Sequence, residues 1–275
     1  MLSVNTNYGA MVALQNLNKT NQDLSMVQTA INTGLKVAGP KDNGAIFAIA
    51  QGMRADVMSH NAVTNSLNRA VSAVDTAVAA GQAISDLLTE MKEKAIAASD
   101  SSLDQNSREA YNADFAALRD QIGKILENAE FDGINLLDGS TAEVRALANA
   151  EGNNYVTVQA QSMSLGGAIL TVSATATISS QTNASAMVTA LDTSITQVNL
   201  ALSKLGTGSK KLTIHKTFVD KLSDELERGI GNLVDADMAT ESARLQSLQT
   251  KQQLGVQALG IANQAPQAVL SLFRG

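Results

Sequence analysis

The first 35 residues place apolar side chains at alternating steps of three and four. This spacing predicts an α-helix with one a/d seam, the pattern by which two helices pair along their length. Asparagine and glutamine, rather than pairs of opposite charge, lie between the apolar positions, so charge pairs do little to support the helix. Gly34 and then Gly39-Pro40 predict its end. The seam positions are Ala10, Ala13, Leu17, Thr20, Leu24, Val27 and Ile31.

The last part of the chain, 237–275, repeats the same design, with glutamine on its polar side. Because two such helices bury their seams most simply against each other, we expect the two ends to pair. The apolar tail needs more partners than one helix provides, which favours further copies of the chain. The apolar positions of this helix are Leu254, Ala258, Ile261, Ala265, Ala268, Val269, Leu272 and Phe273.

Three long helical patterns lie between the ends. Residues 44–99 keep a helical period that Asp100-Ser101-Ser102 interrupts, and 107–129 returns with Ser107 as a candidate N-cap. From Ala184 the period resumes and runs to Leu233, with Ile214 and Phe218 among its apolar positions.

Residues 131–183 have a different character. Two Asp-Gly pairs in 131–140 are typical of tight turns. Residues 155–161 alternate apolar and polar side chains, and 168–178 is rich in Thr, Val and Ile, so short strands are predicted in both. The Ser/Thr-rich stretch 179–185 is expected to be exposed.

The predicted fold is therefore mainly α, a long antiparallel helical bundle or coiled coil with a small β-hairpin element. We divide it into an N-terminal helix (1–35), helices with the start of a hairpin (36–140), a short exposed β insert (141–183), a returning helix (184–236) and a C-terminal helix (237–275).

Composition narrows the function classes. Of 275 residues, 44% are hydrophobic but only 3% aromatic, which suits helices packed side by side. The net charge of −6 argues against nucleic acid as a partner. No apolar run is long enough to predict a membrane span, and the first residues lack a cleavable signal pattern. There is no cysteine, hence no disulfide or thiolate chemistry.

No motif predicts catalysis or a cofactor. His60 and His215 are far apart in sequence, and only Asp56 lies at metal-ligand spacing from His60. The glycines of 39–44 do not follow a strand and lack the GK[ST] of a phosphate loop. Carboxylate pairs such as Asp224 and Glu225 fit a solvated helix face, so we expect neither an enzyme nor a cofactor.

Three stretches resemble bacterial flagellin, in the form found in alphaproteobacteria. INTGLKVAGPKDNGAIFAIAQGMRADV (31–57) is similar to that family's helix–turn–helix passage, and FDGINLL (131–137) to its hairpin. DMATESARLQSLQTKQQLGVQALGIANQAPQAVLSLFRG (237–275) resembles the family's C-terminus almost position by position. The resemblance covers the chain except for roughly 140–184.

The resemblance implies a structural subunit of the flagellar filament, used for swimming motility. Terminal helices would form an inner tube, and the long helices with a hairpin an outer tube, without large outer domains. The chain would be exported unfolded by a type III route and assemble outside the cell. Implied partners are further copies, sibling flagellins, hook-associated and cap proteins and an export chaperone. Leu17, Leu24, Val27, Ile31 and the apolar positions of 254–273 given above, Ala268 excepted, are the expected assembly interface.

The chain departs from many flagellins at Glu90 and Lys94, where Arg and Leu are usual. Those family positions take part in lateral packing and in recognition by an animal innate-immune receptor, so we expect that recognition to be lost. A surface loop rich in hydroxyls is a candidate for O-glycosylation, against the alternative of a plain solvated loop. Its residues are Thr171, Ser173, Thr175, Thr177, Ser179, Ser180 and Thr182.

Two other functions stay open at this point. A hook–filament junction protein shares the terminal pattern but is expected to carry a larger central insert and a weaker C-terminal match. A cytoplasmic coiled-coil signalling module would explain long antiparallel helices but not the β insert or the apolar tail.

Overall fold

A computed structural model describes the backbone of residues 6–272 and the side chains of residues 6–264. Within this range the chain forms five helices and four short strands. In chain order these are α1 (Tyr8–Thr33), α2 (Gly44–Ala98), α3 (Gln105–Asn128), β1 (Glu130–Phe131), β2 (Ile134–Asn135), β3 (Glu143–Leu147), β4 (Tyr155–Gln159), α4 (Gln181–Val234) and α5 (Met238–Leu272).

The chain divides into two compact units. Unit 1 comprises 1–55 and 224–275, and unit 2 comprises 56–223. Both limits fall inside the continuous helices α2 and α4. The limits that we predicted at 35 and 237 lie within two residues of the end of α1 and the start of α5.

Unit 1 joins the two ends of the chain. Gly34 ends α1 in a left-handed conformation, with φ 73°, as its position in the sequence predicts. The extended stretch that follows bonds to the end of α4, where the amides of Lys36 and Val37 donate to Val234 O. Val37, Ala50 and Val234 form a small buried core at this point.

Unit 2 is built around two helices that each bury a heptad stripe. The buried residues of α2 and α4 recur at steps of three and four, with glycine at Gly81 and Gly208. The α2 stripe is Val63, Leu67, Ala70, Val74, Ala77, Ile84, Leu88, Met91, Ala95 and Ala98, with Ala73 buried beside it. The α4 stripe is Ala184, Leu191, Ser194, Val198, Ala201, Leu205, Leu212 and Val219, and partly buried Met187 and His215 fill its other two steps of seven.

The two helices run antiparallel, because Thr64 bonds to Asp220 near one end and Lys92 pairs with Asp192 near the other. The predicted face of α3 is confirmed, with Phe115, Ile122 and Leu126 buried in the same core. The helical period predicted for α4 is confirmed, but two of its apolar members, Ile214 and Phe218, are exposed. They keep the helical period but lie on the side of α4 away from the core.

The turn between α2 and α3 depends on a buried arginine that the sequence analysis missed. Arg108 donates to the carbonyl oxygens of Ala98, Asp100 and Leu103, which closes the end of α2. The predicted N-cap Ser107 is wrong. Asp104 caps α3 by accepting from the Ser107 amide at 3.0 Å and the Ser107 hydroxyl at 2.6 Å.

Two hairpins make up the β element. β1 and β2 are joined by Asp132-Gly133, both with positive φ, as expected of a two-residue hairpin turn. β3 pairs with β4, which confirms the strand predicted from alternation at 155–161.

The strand predicted over 168–178 does not form. Two of its backbone amides bond to helix side chains: the Thr171 amide donates to Ser194 Oγ, and the Ile178 amide to Asn112 Oδ1. Its strand-like pairing is limited to an isolated bridge between Leu170 and Leu165. Arg119 of α3 donates to Ala176 O at 2.8 Å.

The β insert was expected to be exposed, and this expectation was wrong for its inward face. Val144, Ala146, Val156 and Val158 are buried in the core of unit 2, because alternate strand residues face the helices. The hairpin is also bonded to the helices, with the Leu147 amide donating to Ser66 Oγ and His215 Nε2 bonding to Ala148 O.

Close packing of this hairpin requires a glycine. A Cβ at Gly208 would lie 2.5 Å from Val158 Cγ1, whereas a Cβ at Gly206 would meet nothing within 4 Å. We predict that Gly208→Ala lowers the free energy of unfolding by about 1–3 kcal/mol through overpacking. Gly206→Ala, the matched control, should raise it by up to about 1 kcal/mol through helix propensity. Urea titrations measure both, and equal effects would contradict the close approach.

Candidate assembly surface

α1 and α5 pack against each other along their lengths. The seam predicted for α1 is confirmed, since all seven of its positions are partly or fully buried, Val27 being 7% exposed. Asp23 and Ala30, beside the seam, are partly buried as well. Gly255 of α5 lies against Leu17, and a Cβ there would come within 3.2 Å of Leu17 Cδ1. A small residue on α5 therefore lets the helices approach closely.

The stripe of α5 that faces α1 differs from the stripe that the sequence predicts. Leu254, Ala258 and Ile261 are exposed, Ile261 by 71%. The partly buried stripe lies about 100° around the helix, because α5 has apolar residues on two neighbouring faces and the glycine at 255 favours one of them. Its members are Glu241, Leu245, Leu248, Gln252, Gly255, Leu259 and Ala262.

Amide side chains fix the register of the pair. Asn7 Nδ2 donates to Ala262 O at 2.6 Å, and Gln252 Nε2 donates to Asn21 Oδ1 at 2.8 Å. Asn7 also caps α1 by accepting from the Ala10 amide. Some of the Asn and Gln that the sequence leaves unexplained therefore hold the two ends of the chain together in antiparallel order.

An open groove of about 470 Å³ lies between α1 and α5 toward the start of α5. Side chains of both charge signs line this groove. Glu241 pairs with Arg244 at 3.0 Å, and Asp23 and Lys251 complete the rim. Lys36 Nζ donates to Asn232 O. No convergent set of one charge is present to select a small ligand.

Ala265, Val269, Leu272 and Phe273 of the expected interface lie outside the described side chains. Several large apolar residues of α1 and α5 are exposed in the single chain. They are Tyr8, Met11, Val12, Leu14 and Met26 on α1 and Met238, Leu254, Val256 and Ile261 on α5. Unit 1 thus presents apolar side chains on faces that neither of its own helices covers.

The described residues contain no group of three His, Asp or Glu side chains placed to hold a metal ion. His215 is engaged in fixing the hairpin, and His60 is buried within α2. Across residues 6–272, no helix combines the length and apolarity needed to cross a bilayer.

The remaining predicted sites lie in unit 2. On α2, Glu90 is exposed and Lys94 is half-buried. The hydroxyl-bearing residues of 171–182 are exposed, apart from half-buried Ser179. Thr171 differs from the others because its hydroxyl donates to Ala190 O at 2.9 Å.

Comparison with known proteins gives the family. The model of the bacterial flagellin N-terminal helical region matches residues 4–142, and that of the C-terminal helical region matches 188–273. The chain belongs to the bacterial flagellin family. It is a structural subunit of the flagellar filament, which is extracellular, and flagellins are structural proteins rather than enzymes.

Relatives from alphaproteobacteria match over nearly the whole length. The chain is 54% identical to flagellin FljK of Caulobacter vibrioides, over 99% of this chain and 98% of that protein. It is 35% identical to the flagellin of Brucella melitensis, with 100% of both chains covered. These matches confirm the resemblance and exclude the signalling module.

A solved structure assigned to a flagellar hook-associated protein of Vibrio parahaemolyticus shares the fold. Its TM-score is 0.56 at 13% identity, covering 70% of this chain and 100% of that one. The shared fold does not decide between filament and junction subunits, whereas full-length identity to flagellins favours the filament.

The start of α5 carries an acid-sensitive cap. The Thr240 hydroxyl donates to Asp237 at 2.7 Å. That bond, followed by those from the Thr240 and Ala239 amides, holds the pKa of Asp237 below its ordinary value of 3.8. The carboxylate therefore favours the folded state above about pH 4.

We predict that this contribution is lost as the pH falls through the lowered pKa of Asp237. Asp237→Asn keeps a capping side chain without the titration. The urea midpoint of the native chain should therefore fall more steeply than that of the variant below about pH 4. Parallel curves from pH 6 to pH 2 would contradict the role of the carboxylate.

Proposed function

We propose that the chain polymerises through its paired terminal helices, with the exposed faces of that pair binding neighbouring copies. The observation that carries this proposal is the exposure of Leu254 and Ile261 while α5 is already packed on α1. Apolar side chains of this size are normally covered, and burying each would contribute roughly 1.5–3 kcal/mol.

The pair is poorly suited to stand alone. α1 has no acidic residue in its first turn and no basic residue in its last. Few ion pairs support it, and helices of this kind depend on packing for most of their stability. Contacts with further copies would therefore order the ends of the chain as they assemble.

The same marginal stability supports export of an unfolded chain. No disulfide would need to be reduced before export, since the sequence has no cysteine. We propose type III export to the filament tip without a cleaved signal.

An export chaperone would cover the C-terminal helix, hook-associated and cap proteins would border the polymer, and sibling flagellins would enter it. Exposed Asn and Gln of the terminal helices would line a wet, uncharged lumen.

Two further proposals concern the outer surface. The exposed carboxylate of Glu90 and the ammonium of Lys94 place charges where many flagellins carry Arg and Leu, so an innate-immune receptor adapted to that pattern would meet a reversed charge. The exposed hydroxyls of 171–182 are accessible to a glycosyltransferase, with the plain solvated loop as the alternative.

For polymerisation we predict that Ile261→Asp abolishes growth, because a carboxylate would be buried between copies without a partner. The monomer should keep its helix content, since Ile261 is exposed in the single chain. Gln249→Asp, which adds the same charge to an exposed position about 120° around α5 from Ile261, is the matched control. Seeded polymerisation followed by sedimentation and negative-stain microscopy measures both.

Normal filaments from Ile261→Asp would show that this stripe is not an interface. If the native chain itself stayed soluble after seeding, polymerisation through the terminal helices would be wrong altogether.

For glycosylation we predict that the intact mass of secreted filament protein exceeds the 28.7 kDa of the chain. Peptide mapping should place sugars on Thr177 and Thr182, whose hydroxyls are exposed, rather than on Thr171, whose hydroxyl is engaged. A mass equal to that of the sequence would support the plain loop.

A further inference from the structure

α4 carries a second heptad stripe on the side opposite its buried one. The stripe advances by four and three residues in turn, and every member is exposed. Leu200, Ile214 and Phe218 are exposed by 52–60%, which is unusual for such large apolar side chains. We call it the basic stripe; it consists of Leu200, Lys204, Thr207, Lys211, Ile214, Phe218 and Lys221.

α2 carries a matching stripe, also opposite its buried residues. It has the same alternation of steps, and its members are likewise exposed. Ile96, at one end, is 51% exposed. We call it the acidic stripe; it consists of Asp75, Ala79, Gln82, Asp86, Thr89, Glu93 and Ile96.

The two stripes are complementary in antiparallel alignment. If Leu200 is placed opposite Ile96, the next layers bring Lys204 to Glu93 and Lys211 to Asp86. The lysines at 204, 211 and 221 are seven and ten residues apart, and the carboxylates at 93, 86 and 75 are seven and eleven apart.

The same alignment places the largest side chain of the basic stripe, Phe218, opposite the smallest of the acidic stripe, Ala79. A parallel alignment brings at most two of the three charge pairs together. Steps of three and four on both helices keep the layers in phase over the full length, as antiparallel coiled coils require.

The two stripes do not meet within one chain. Internally, Ser209 donates to Asp75 at 2.8 Å and Lys92 pairs with Asp192. Ile96, one turn beyond Lys92, is therefore level with position 188, twelve residues or about 18 Å along the helix from Leu200. Among the described residues, Lys204, Lys211, Asp86 and Glu93 make no ion pair in the chain.

We infer that the basic stripe of one copy docks on the acidic stripe of a second copy. The inference rests on the proposed self-assembly and adds a lateral contact made by unit 2, separate from the terminal helices. Because the stripes are different surfaces, the contact is heterologous and leaves one of each free for the next copy. Such a contact can be repeated without closing, as a filament needs.

Charge reversal tests the pairing in the full chain. The double variant Lys204→Glu/Lys211→Glu, or Asp86→Lys/Glu93→Lys, should raise the critical concentration for seeded polymerisation by about tenfold or more, because two attractions become repulsions. Combining all four substitutions restores opposite charges and should return it to within about threefold of the native value. Lys124→Glu, an exposed charge on α3, is the control and should have little effect.

Two results would overturn the inference. One is polymerisation of either double variant at the native critical concentration, and the other is a quadruple variant whose critical concentration is no lower than that of the double variants. Neither result would contradict polymerisation through the terminal helices, because the native chain and Ile261→Asp test that contact separately in the same assay. If the native chain failed to polymerise, the proposed function would fail instead.

A second readout does not depend on the stability of the charge variants. The chain has no cysteine, so Leu200→Cys and Ile96→Cys introduce the only thiols. Filaments of the double variant should oxidise to a ladder of covalent oligomers, whereas a 1:1 mixture of the single variants should stop at dimers. Each single variant alone should stay monomeric on a denaturing gel. No cross-linking in the double variant would overturn the register.

Discussion

A helix with apolar residues on more than one face cannot bury them all against one neighbour, and this constraint governs the whole molecule. In unit 2 the long α2 and α4 each commit one heptad stripe to the internal core, with Leu88 and Leu205 among its fully buried members. Their opposite faces then carry exposed Ile96, Leu200 and Phe218. In unit 1, α5 commits one stripe to α1 and leaves Leu254 and Ile261 uncovered. A filament subunit needs this surplus, because its copies must bind through surfaces that its own fold does not use.

Small residues decide which stripe packs inside. Gly81 lies against Leu202, Gly208 against Val158 and Gly255 against Leu17. At each of these positions a Cβ would make a contact shorter than a normal van der Waals distance. At Gly208 the result is that the hairpin becomes part of the helical core rather than an appendage. At Gly255 the result is the choice of one apolar face of α5 over its neighbour. Glycine costs helix stability at such positions, and the close packing it allows offsets that cost.

Polar side chains complete the structure where backbone groups would otherwise be unpaired. Arg108 closes the α2–α3 turn, and Asn112 with Arg119 holds the irregular segment that follows the hairpins. Between the terminal helices, Asn7 and Gln252 set the register. These contacts are directional, so they select one arrangement among several that apolar packing alone would allow.

The helices, the seam of α1, the hairpin at Asp132-Gly133 and, through the terminal motifs, the family could all be predicted from the sequence alone. Each of these follows from local spacing or turn chemistry. That Asp104 rather than Ser107 caps α3 follows from the folded structure, because both residue types suit an N-cap and the backbone geometry selects between them. The folded structure also decided that 168–178 bonds to helix side chains instead of pairing as a strand. The stripe of α5 that faces α1 could not be predicted from the sequence for the same kind of reason. A helical period shows which residues share a face, but the shape of the partner helix decides which face is buried, and here Leu17 packs against Gly255.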